Sequence, residues 1–231
     1  MRRVVITGAT RGIGLNLAEH YLRQGDRVIG CGRTASSLSH PNYSHRCVDV
    51  TVQEEVDKFF ADLSGSVGSI DALINNAGIA SMNALVLTPV ETARRIVTTN
   101  VLGPFAFTRA AVRLMRGSGN ARIVNFTSVA VPLCLEGEAI YAASKSAVET
   151  LTRIAARELA PFGITCNAVG PSPIKTALVA GVPPHKMQAL IDAQAIKRWA
   201  VHEDVVNVVD FFLRPESSMV TGQVIYLGGV A

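Results

Sequence analysis

Tyr141 and Lys145 stand four residues apart in Tyr141-Ala142-Ala143-Ser144-Lys145, a stretch that reads as the start of a long helix. Residues at that spacing share a helix face, so a phenol and an ammonium can point into one cleft. A tyrosine releases its proton near pH ~10, and a neighbouring ammonium favours the phenolate. The pair is therefore expected to donate a proton near neutrality, as a general acid. Ser128 precedes Tyr141 by thirteen residues and ends an apolar run, where it could hydrogen-bond a carbonyl and help hold a developing oxyanion. Tyr and Lys at this spacing occur by chance in many helices. The order of the chemistry-bearing residues along the chain says more.

A second group lies at the front of the chain. Thr7-Gly8-Ala9-Thr10-Arg11-Gly12-Ile13-Gly14 follows an apolar run directly and opens into a helical pattern. Gly8, Gly12 and Gly14 permit a tight turn and let backbone approach a pyrophosphate. The helix start offers free N–H groups and a partial positive charge. Between a first strand and a first helix, such a loop points to a dinucleotide. An NAD enzyme places an acid at the end of the second strand, where it reads the ribose 2′-hydroxyl. Val28-Ile29-Gly30-Cys31-Gly32-Arg33-Thr34 has none, and no acid occurs from 28 to 39. Arg33 instead offers a fork of donors suited to a 2′-phosphate, and Arg11 can reach the same anion. NADPH is the expected cofactor.

These residues need a frame to position them. Short apolar runs (Arg3–Thr7, Arg27–Cys31, His45–Asp49, Ala72–Asn75, Arg122–Thr127, Thr165–Val169, Val224–Leu227) alternate with helix-like stretches near 13–24, 53–63, 90–115, 138–160 and 203–213. Strands that are apolar throughout, separated by helices, predict a parallel sheet covered on both faces. The expected architecture is α/β, a doubly wound sheet of Rossmann type with about seven strands, which binds ligands beyond the carboxyl ends of its strands. No linker-like run or internal repeat divides residues 1–231, so one domain is expected. Residues 177–200, split by Pro183-Pro184 as by a hinge or a helix start, are expected to form a short helical lid.

Taken together, the Gly-xxx-Gly-x-Gly loop, Ser128 after a strand and Tyr141-xxx-Lys145 on a helix resemble the short-chain dehydrogenase/reductase family. The resemblance runs from about residue 3 to residue 229. It implies a hydride transfer from a nicotinamide to a carbonyl, with the proton from Tyr141. Asn75-Asn76-Ala77-Gly78 is similar to the family's stretch that stabilises the central sheet and lines the cofactor. Asn100 matches the asparagine of the family's tetrad, which implies a water held between helix backbone and Lys145. Asp49-Val50 matches the pair that borders the adenine. In Gly170-Pro171-Ser172-Pro173-Ile174-Lys175-Thr176 the family's proline stands at Pro171, while Ser172 replaces its usual glycine. Ile174 and Thr176 match positions that bracket the nicotinamide carboxamide. The cofactor contacts implied are thus Gly8, Thr10, Arg11, Gly12, Ile13, Gly14, Arg33, Asp49, Val50, Asn76, Ala77, Gly78, Tyr141, Lys145, Pro171, Ile174 and Thr176. The catalytic set implied is Asn100, Ser128, Tyr141 and Lys145.

Composition excludes other classes. The 231 residues are 48% hydrophobic and 17% charged, as in a compact soluble globule. The net charge of +4 is spread without arginine-rich runs or interleaved aromatics, so no nucleic-acid partner is expected. Nor is a membrane span expected, since no run of 18 or more apolar residues occurs. Met1-Arg2-Arg3 begins like a signal peptide, but Gly8 and Arg11 break the apolar run, and a cytoplasmic protein is expected. Cys31, Cys47, Cys134 and Cys166 show no ligand spacing, and three fall in strand-like runs. Buried free thiols are expected, with no metal.

Among reductases, the ending Ser217-Ser218-Met219-Val220-Thr221-Gly222-Gln223-Val224 resembles β-ketoacyl-acyl-carrier-protein reductases. That implies a carrier-linked β-ketoacyl substrate, with Lys175, Lys186, Lys197, Arg198, Arg113 and Arg116 expected to meet an acidic carrier helix. A free ketone or secondary metabolite is the alternative. A sensor that binds NADPH without turnover is a third reading, against which both Tyr141 and Lys145 count. Val131-Pro132-Leu133-Cys134-Leu135-Glu136-Gly137-Glu138 is expected to line the substrate pocket. Apolar residues on more than one face of the helices near 90–115 (Val101, Leu102, Phe105, Phe107, Val112 and Leu114) and 138–160 predict a homo-oligomer, a tetramer by the resemblance.

Overall fold

Val4, Val5, Ile6, Leu73, Ile74, Ile123 and Val124 are fully buried, as runs apolar on both faces require in a sheet covered on both sides. The computed structural model describes residues 1–230; Ala231, the last residue of the expected domain, lies outside the described residues. Seven strands, β1 (Arg3–Thr7), β2 (Arg27–Gly32), β3 (Tyr43–Cys47), β4 (Ala72–Asn75), β5 (Arg122–Phe126), β6 (Thr165–Gly170) and β7 (Val224–Tyr226), form one sheet ordered β3-β2-β1-β4-β5-β6-β7. Every neighbouring pair is parallel. The chain is a single Rossmann-type domain. Strand order reverses between β1 and β4, and the crevice beyond that switch point is where such sheets bind ligands.

Helices α2 (Gln53–Ser66), α4 (Gly103–Met115) and α6 (Ala139–Leu159) cover one face. Their core holds Phe59, Phe60 and Phe107 with ring centroids 5.1–5.7 Å apart. Helices α1 (Gly12–Arg23) and α8 (His202–Leu213) cover the other, around Leu17, Tyr21, Val205 and Phe212. Asp210 of α8 accepts from the Tyr21 hydroxyl at 3.0 Å and lies 2.9 Å from His20 Nε2, tying the two helices together.

Two elements depart from the sequence reading. The stretch 90–115 is not one helix: α3 (Val90–Val97) passes through a π-helical turn, Thr98–Leu102, into α4. Pro104, which has no N–H, cannot supply the bond that the Asn100 carbonyl would accept in an unbroken helix. β3 lies at 43–47 rather than 45–49, because it is an edge strand with few apolar residues. Val48, just past its end, is buried. Cys47 is consequently exposed, as is Cys134; only Cys31 and Cys166 are buried, and all four are free thiols.

Residues 177–200 contain one helix, α7 (Pro184–Asp192), which starts at the double proline, with Pro183 at its N-cap and Pro184 in its first turn. The segment's ends are joined. Ile174 bridges to Ala200, whose N–H donates to Pro173 O at 2.9 Å. Among the described residues no helix is long and apolar enough to cross a membrane.

Candidate active site

The carboxyl ends of β1, β4, β5 and β6 open into one cavity of about 530 Å³. Ser128, Tyr141 and Lys145 line it together with Asn76, Gly78, Ile13 and the 171–176 turn. Each side chain arrives from a different element, and the sheet brings them together.

The glycine loop is shaped by close backbone approach. Gly8 and Gly12 have φ of +68° and +57°, the left-handed region that favours glycine. A side chain at Gly14 would drive into Gly8 O and the Asn76 amide. That amide donates to Thr7 O at 2.9 Å and Gly8 O at 3.2 Å, and Ala77 N donates to Thr7 Oγ1 at 2.9 Å. The loops after β1 and β4 are thus stitched across the switch point. Asn75 points the other way, into the sheet, donating to Asn125 Oδ1 at 2.8 Å and Thr108 Oγ1 at 3.1 Å.

Helix α1 starts at Arg11 without a side-chain cap or an acid in its first turn, so its first N–H groups face the crevice unsatisfied. Arg11 and Arg33 are both exposed above it, with no ion pair among the described residues. Thr10 packs beside Gly32 at the end of β2, and Thr176 beside Gly12. Val50 packs against Gly103 and the α2–α4 core. Asp49 uses Oδ1 to accept from Thr51 N and Oγ1, at 2.9 and 2.7 Å. Free helix-start donors, glycines that a Cβ would fill and two unpaired guanidiniums are a donor set that fits a phosphorylated dinucleotide.

Asn100 sits fully buried in the π-helical turn. Its side chain accepts from Ile79 N and donates to Ile79 O, both at 2.9 Å, and donates to Ser144 Oγ at 3.0 Å. It clasps the loop after β4 to α6 beside Lys145. Lys145 is 5% exposed, and its Nζ donates to Phe126 O at 2.9 Å. Gly78 leaves room for that ammonium; a Cβ there would stand 3.3 Å from Nζ. Ser128 Oγ accepts from Ala130 N at 3.2 Å, and its hydroxyl faces that of Tyr141.

Burial, more than their mutual proximity, governs the Tyr141–Lys145 pair. It pushes Tyr141 up to about 12, a rise that Ser128 opposes and the charge of Glu138 adds to, and it pulls Lys145 down to about 8. The expected easing of the phenol's proton by the ammonium is thus opposed by burial, which is the larger influence on Tyr141. The ammonium lies 5.9 Å from the phenol ring's centroid and is held by a carbonyl, while desolvation disfavours both charged forms.

Three residues, Thr127, Glu149 and Tyr226, escaped the sequence reading. Thr127 donates to Glu149 Oε1 at 2.7 Å and to Lys145 O at 3.4 Å, and Tyr226 of β7 donates to the same carboxylate oxygen. Glu149 thus fixes the strand residue before Ser128 against the helix that carries Lys145. Its spacing, four residues after Lys145 on the same face, was the one signal available. Ser172 is buried and donates to Leu227 O at 2.8 Å, locking the 171–176 turn to the exit of β7.

The cationic rim shrinks. Leu114 O accepts from Ile70 N, just before β4, so α4 ends at the amino edge of the sheet. Arg113 and Arg116 therefore lie opposite the cavity, with Arg116 stacked 3.8 Å over Phe162. Arg198 is forked onto Asp204 at 2.7 and 2.8 Å. Lys175 lies 5.5 Å over Trp199, and Lys186 lines the cavity. Among the described residues no group of three His, Cys, Asp or Glu is placed to hold a metal.

A family profile described as enoyl-(acyl carrier protein) reductase matches residues 8–229. The 3-oxoacyl-(acyl-carrier-protein) reductase FabG of Vibrio cholerae is 30% identical over 97% of this chain and 95% of its own. The L-xylulose reductase of Bos taurus is 31% identical over 99% and 95%. A gluconate 5-dehydrogenase of Burkholderia cenocepacia, solved with NADP and tartrate, superposes with a TM-score of 0.93 at 28% identity, covering 99% of this chain and 94% of that one. Sequence, sheet order and cavity agree, and the chain belongs to the short-chain dehydrogenase/reductase family of oxidoreductases.

Proposed function

We propose that the chain is an NADPH-dependent carbonyl reductase that turns a ketone into a secondary alcohol, with a β-ketoacyl thioester on an acyl carrier protein as the leading substrate. The convergence of Ser128, Tyr141 and Lys145 in one cavity beside the glycine loop carries this reading. The glycine loop would hold NADPH, with Arg11 and Arg33 as donors to its 2′-phosphate, and the bound nicotinamide would supply the hydride. Ser128 donates to the substrate carbonyl and holds the oxygen as negative charge grows on it. Tyr141 then gives its proton to that oxygen. Even at about 12 a phenol is a far stronger acid than an alcohol, so transfer to an alkoxide runs downhill. Lys145, charged below about 8, keeps a cation beside the phenolate left behind. Asn100 carries the water that returns a proton toward Lys145; Pro104 leaves its carbonyl without the usual helical donor.

Residues 1–231 act as one catalytic unit, with 177–200 as its lid, and four copies assemble in the cytoplasm, where four free thiols remain reduced. FabG of Vibrio cholerae favours the carrier-linked substrate, and the NADP complex of the gluconate 5-dehydrogenase favours the cofactor. Glu136 and Glu138 in the cavity wall, and the loss of Arg113 and Arg116 from its mouth, favour the second reading, a free small ketone. NADPH consumption against carrier-linked β-ketoacyl groups, the same groups on a short thiol and free ketones tests both. A carrier advantage that shrinks with salt supports the first. Equal efficiency and equal salt response support the second, and no consumption with any ketone overturns the proposal.

A further inference from the structure

The wall of the cavity opposite the glycine loop is largely apolar, with Met82, Leu135, Leu178, Val179, Met187 and Leu190 facing it. Glu136, Glu138 and Lys186 interrupt it, and of these Glu138 lies nearest to Tyr141 along the chain. Glu138 stands at the N-cap position of α6, three residues before Tyr141, so the two side chains share a helix face. A carboxylate at a helix start ordinarily folds back to accept from the first N–H groups. This one makes no capping bond; the residue's backbone alone engages the helix, where Glu138 O accepts from Ala142 N at 2.7 Å. The side chain lines the cavity, half-buried, and no hydrogen-bond partner for its carboxylate occurs among the described residues. Burial raises its carboxyl above the ordinary value, and its charge adds to what raises Tyr141, as a neighbour in the same cavity would.

The turn that presents it is built to do so. Gly137, at φ +82°, reverses the chain between Glu136 and Glu138, and its carbonyl accepts from Asn83 N at 2.8 Å. Lys186 of α7 reaches over the same turn, 3.8 Å from where a Cβ on Gly137 would stand. The carboxylate is left to water in the open cavity, and a ligand that displaces that water must offer a donor in its place.

We propose that Glu138 is a specificity-determining residue that selects ketones bearing a hydroxyl beside the carbonyl over alkyl ketones of the same shape. The inference rests on the reading of this cavity as a ketone site. Its probes are phenacyl alcohol and propiophenone, which differ by a hydroxyl in place of a methyl. Their dissociation constants for the full-length chain, measured by calorimetry without cofactor, do not depend on turnover. Phenacyl alcohol is expected to bind at least about tenfold tighter, since a site built to pair a hydroxyl discriminates against the analogue that lacks it. Glu138→Gln, which still accepts a hydrogen bond, is expected to keep most of that ratio, and Glu138→Leu to bring it to about one or invert it. A ratio near one in the unaltered chain, or a preference that survives in both Glu138→Leu and Glu138→Ala, overturns the inference. Parallel assays of NADPH consumption separate the two claims. A binding ratio that responds to Glu138 without any turnover leaves the specificity role standing and removes the reductase; turnover of both ketones with an indifferent ratio does the reverse.

Discussion

Lys145 holds its charge in an unfavourable place. Its ammonium is buried against a neutral carbonyl, and burial brings it down to about 8 from an unfolded value near ~10.4. The unfolded chain therefore binds that proton more tightly, so folding is penalised wherever the lysine is charged, below about pH 8. The penalty fades as pH rises from there toward ~10.4. Lys145→Met is expected to unfold at a higher temperature than the unaltered chain at pH 7, by on the order of 2 kcal/mol, with the gap closing near pH 10 and turnover lost. Thermal scans at several pH values check it; a gap that does not depend on pH rules out the account. Tyr141→Phe is expected to fold and bind NADPH normally and to lose more than about a tenfold factor in rate, or ~1.4 kcal/mol of barrier, because only the phenolic oxygen carries the proton. Steady-state and binding measurements on the same preparation decide it. Arg33→Asp should weaken NADPH and help NADH, read as the ratio of kcat/KM for the two cofactors; equal ratios before substitution would contradict the role of Arg33. These three positions were legible in the sequence because their chemistry depends on residue type at a fixed spacing. Glu149 was not, since its partners come from the end of β5 and from Tyr226, 77 residues away.

Elements fix what those side chains can reach. The turn from β1 into α1 works only if two backbones touch, so Gly14→Ala is expected to cost about 1–3 kcal/mol and several degrees of thermal stability, as overpacking does. It should also weaken dinucleotide binding at least about tenfold. Gly65→Ala in α2, where a new Cβ meets nothing within 4 Å, is expected to be neutral or stabilising by about 0.5–1 kcal/mol. Calorimetric unfolding of the pair gives the comparison, and similar losses in both would refute the crowding argument. Strands β1, β4, β5 and β6 could be read from the sequence because their apolar runs are buried on both faces. β3 could not be placed to the residue, since Tyr43-Ser44-His45-Arg46-Cys47 lies at a half-exposed edge and carries no such signature. The π-helical turn had one visible mark, Gly103-Pro104 inside an otherwise continuous helical pattern, and its effect on Asn100 emerges only with the backbone traced.

At the scale of the whole molecule, an apolar surface remains uncovered. Leu102 and Phe105, at the start of α4, and Ile154, on α6, are each about half exposed, and Leu85, Val86 and Val90 more so. Of the residues expected to spare for an interface, Phe107 and Val112 are instead spent in the core. An exposed apolar set on two adjacent helices suits self-association, so light scattering at micromolar protein is expected to give a tetramer. Phe105→Glu with Ile154→Glu is expected to yield smaller species, and a monomer before substitution would refute the assembly. The joined ends of the 174–200 segment have a different consequence. Because Ile174 and Ala200 are bridged, and Ala195 N and Ile196 N donate to Gly229 O and Gly228 O, the stretch from 177 to 193 is a loop closed between fixed ends. Doubling such a loop adds only about 0.6 kcal/mol of closure entropy. Residues 177–193 can therefore be lengthened, shortened or exchanged as a cassette, and the range of molecules admitted to the cavity can change while the sheet and the proton donor stay in place.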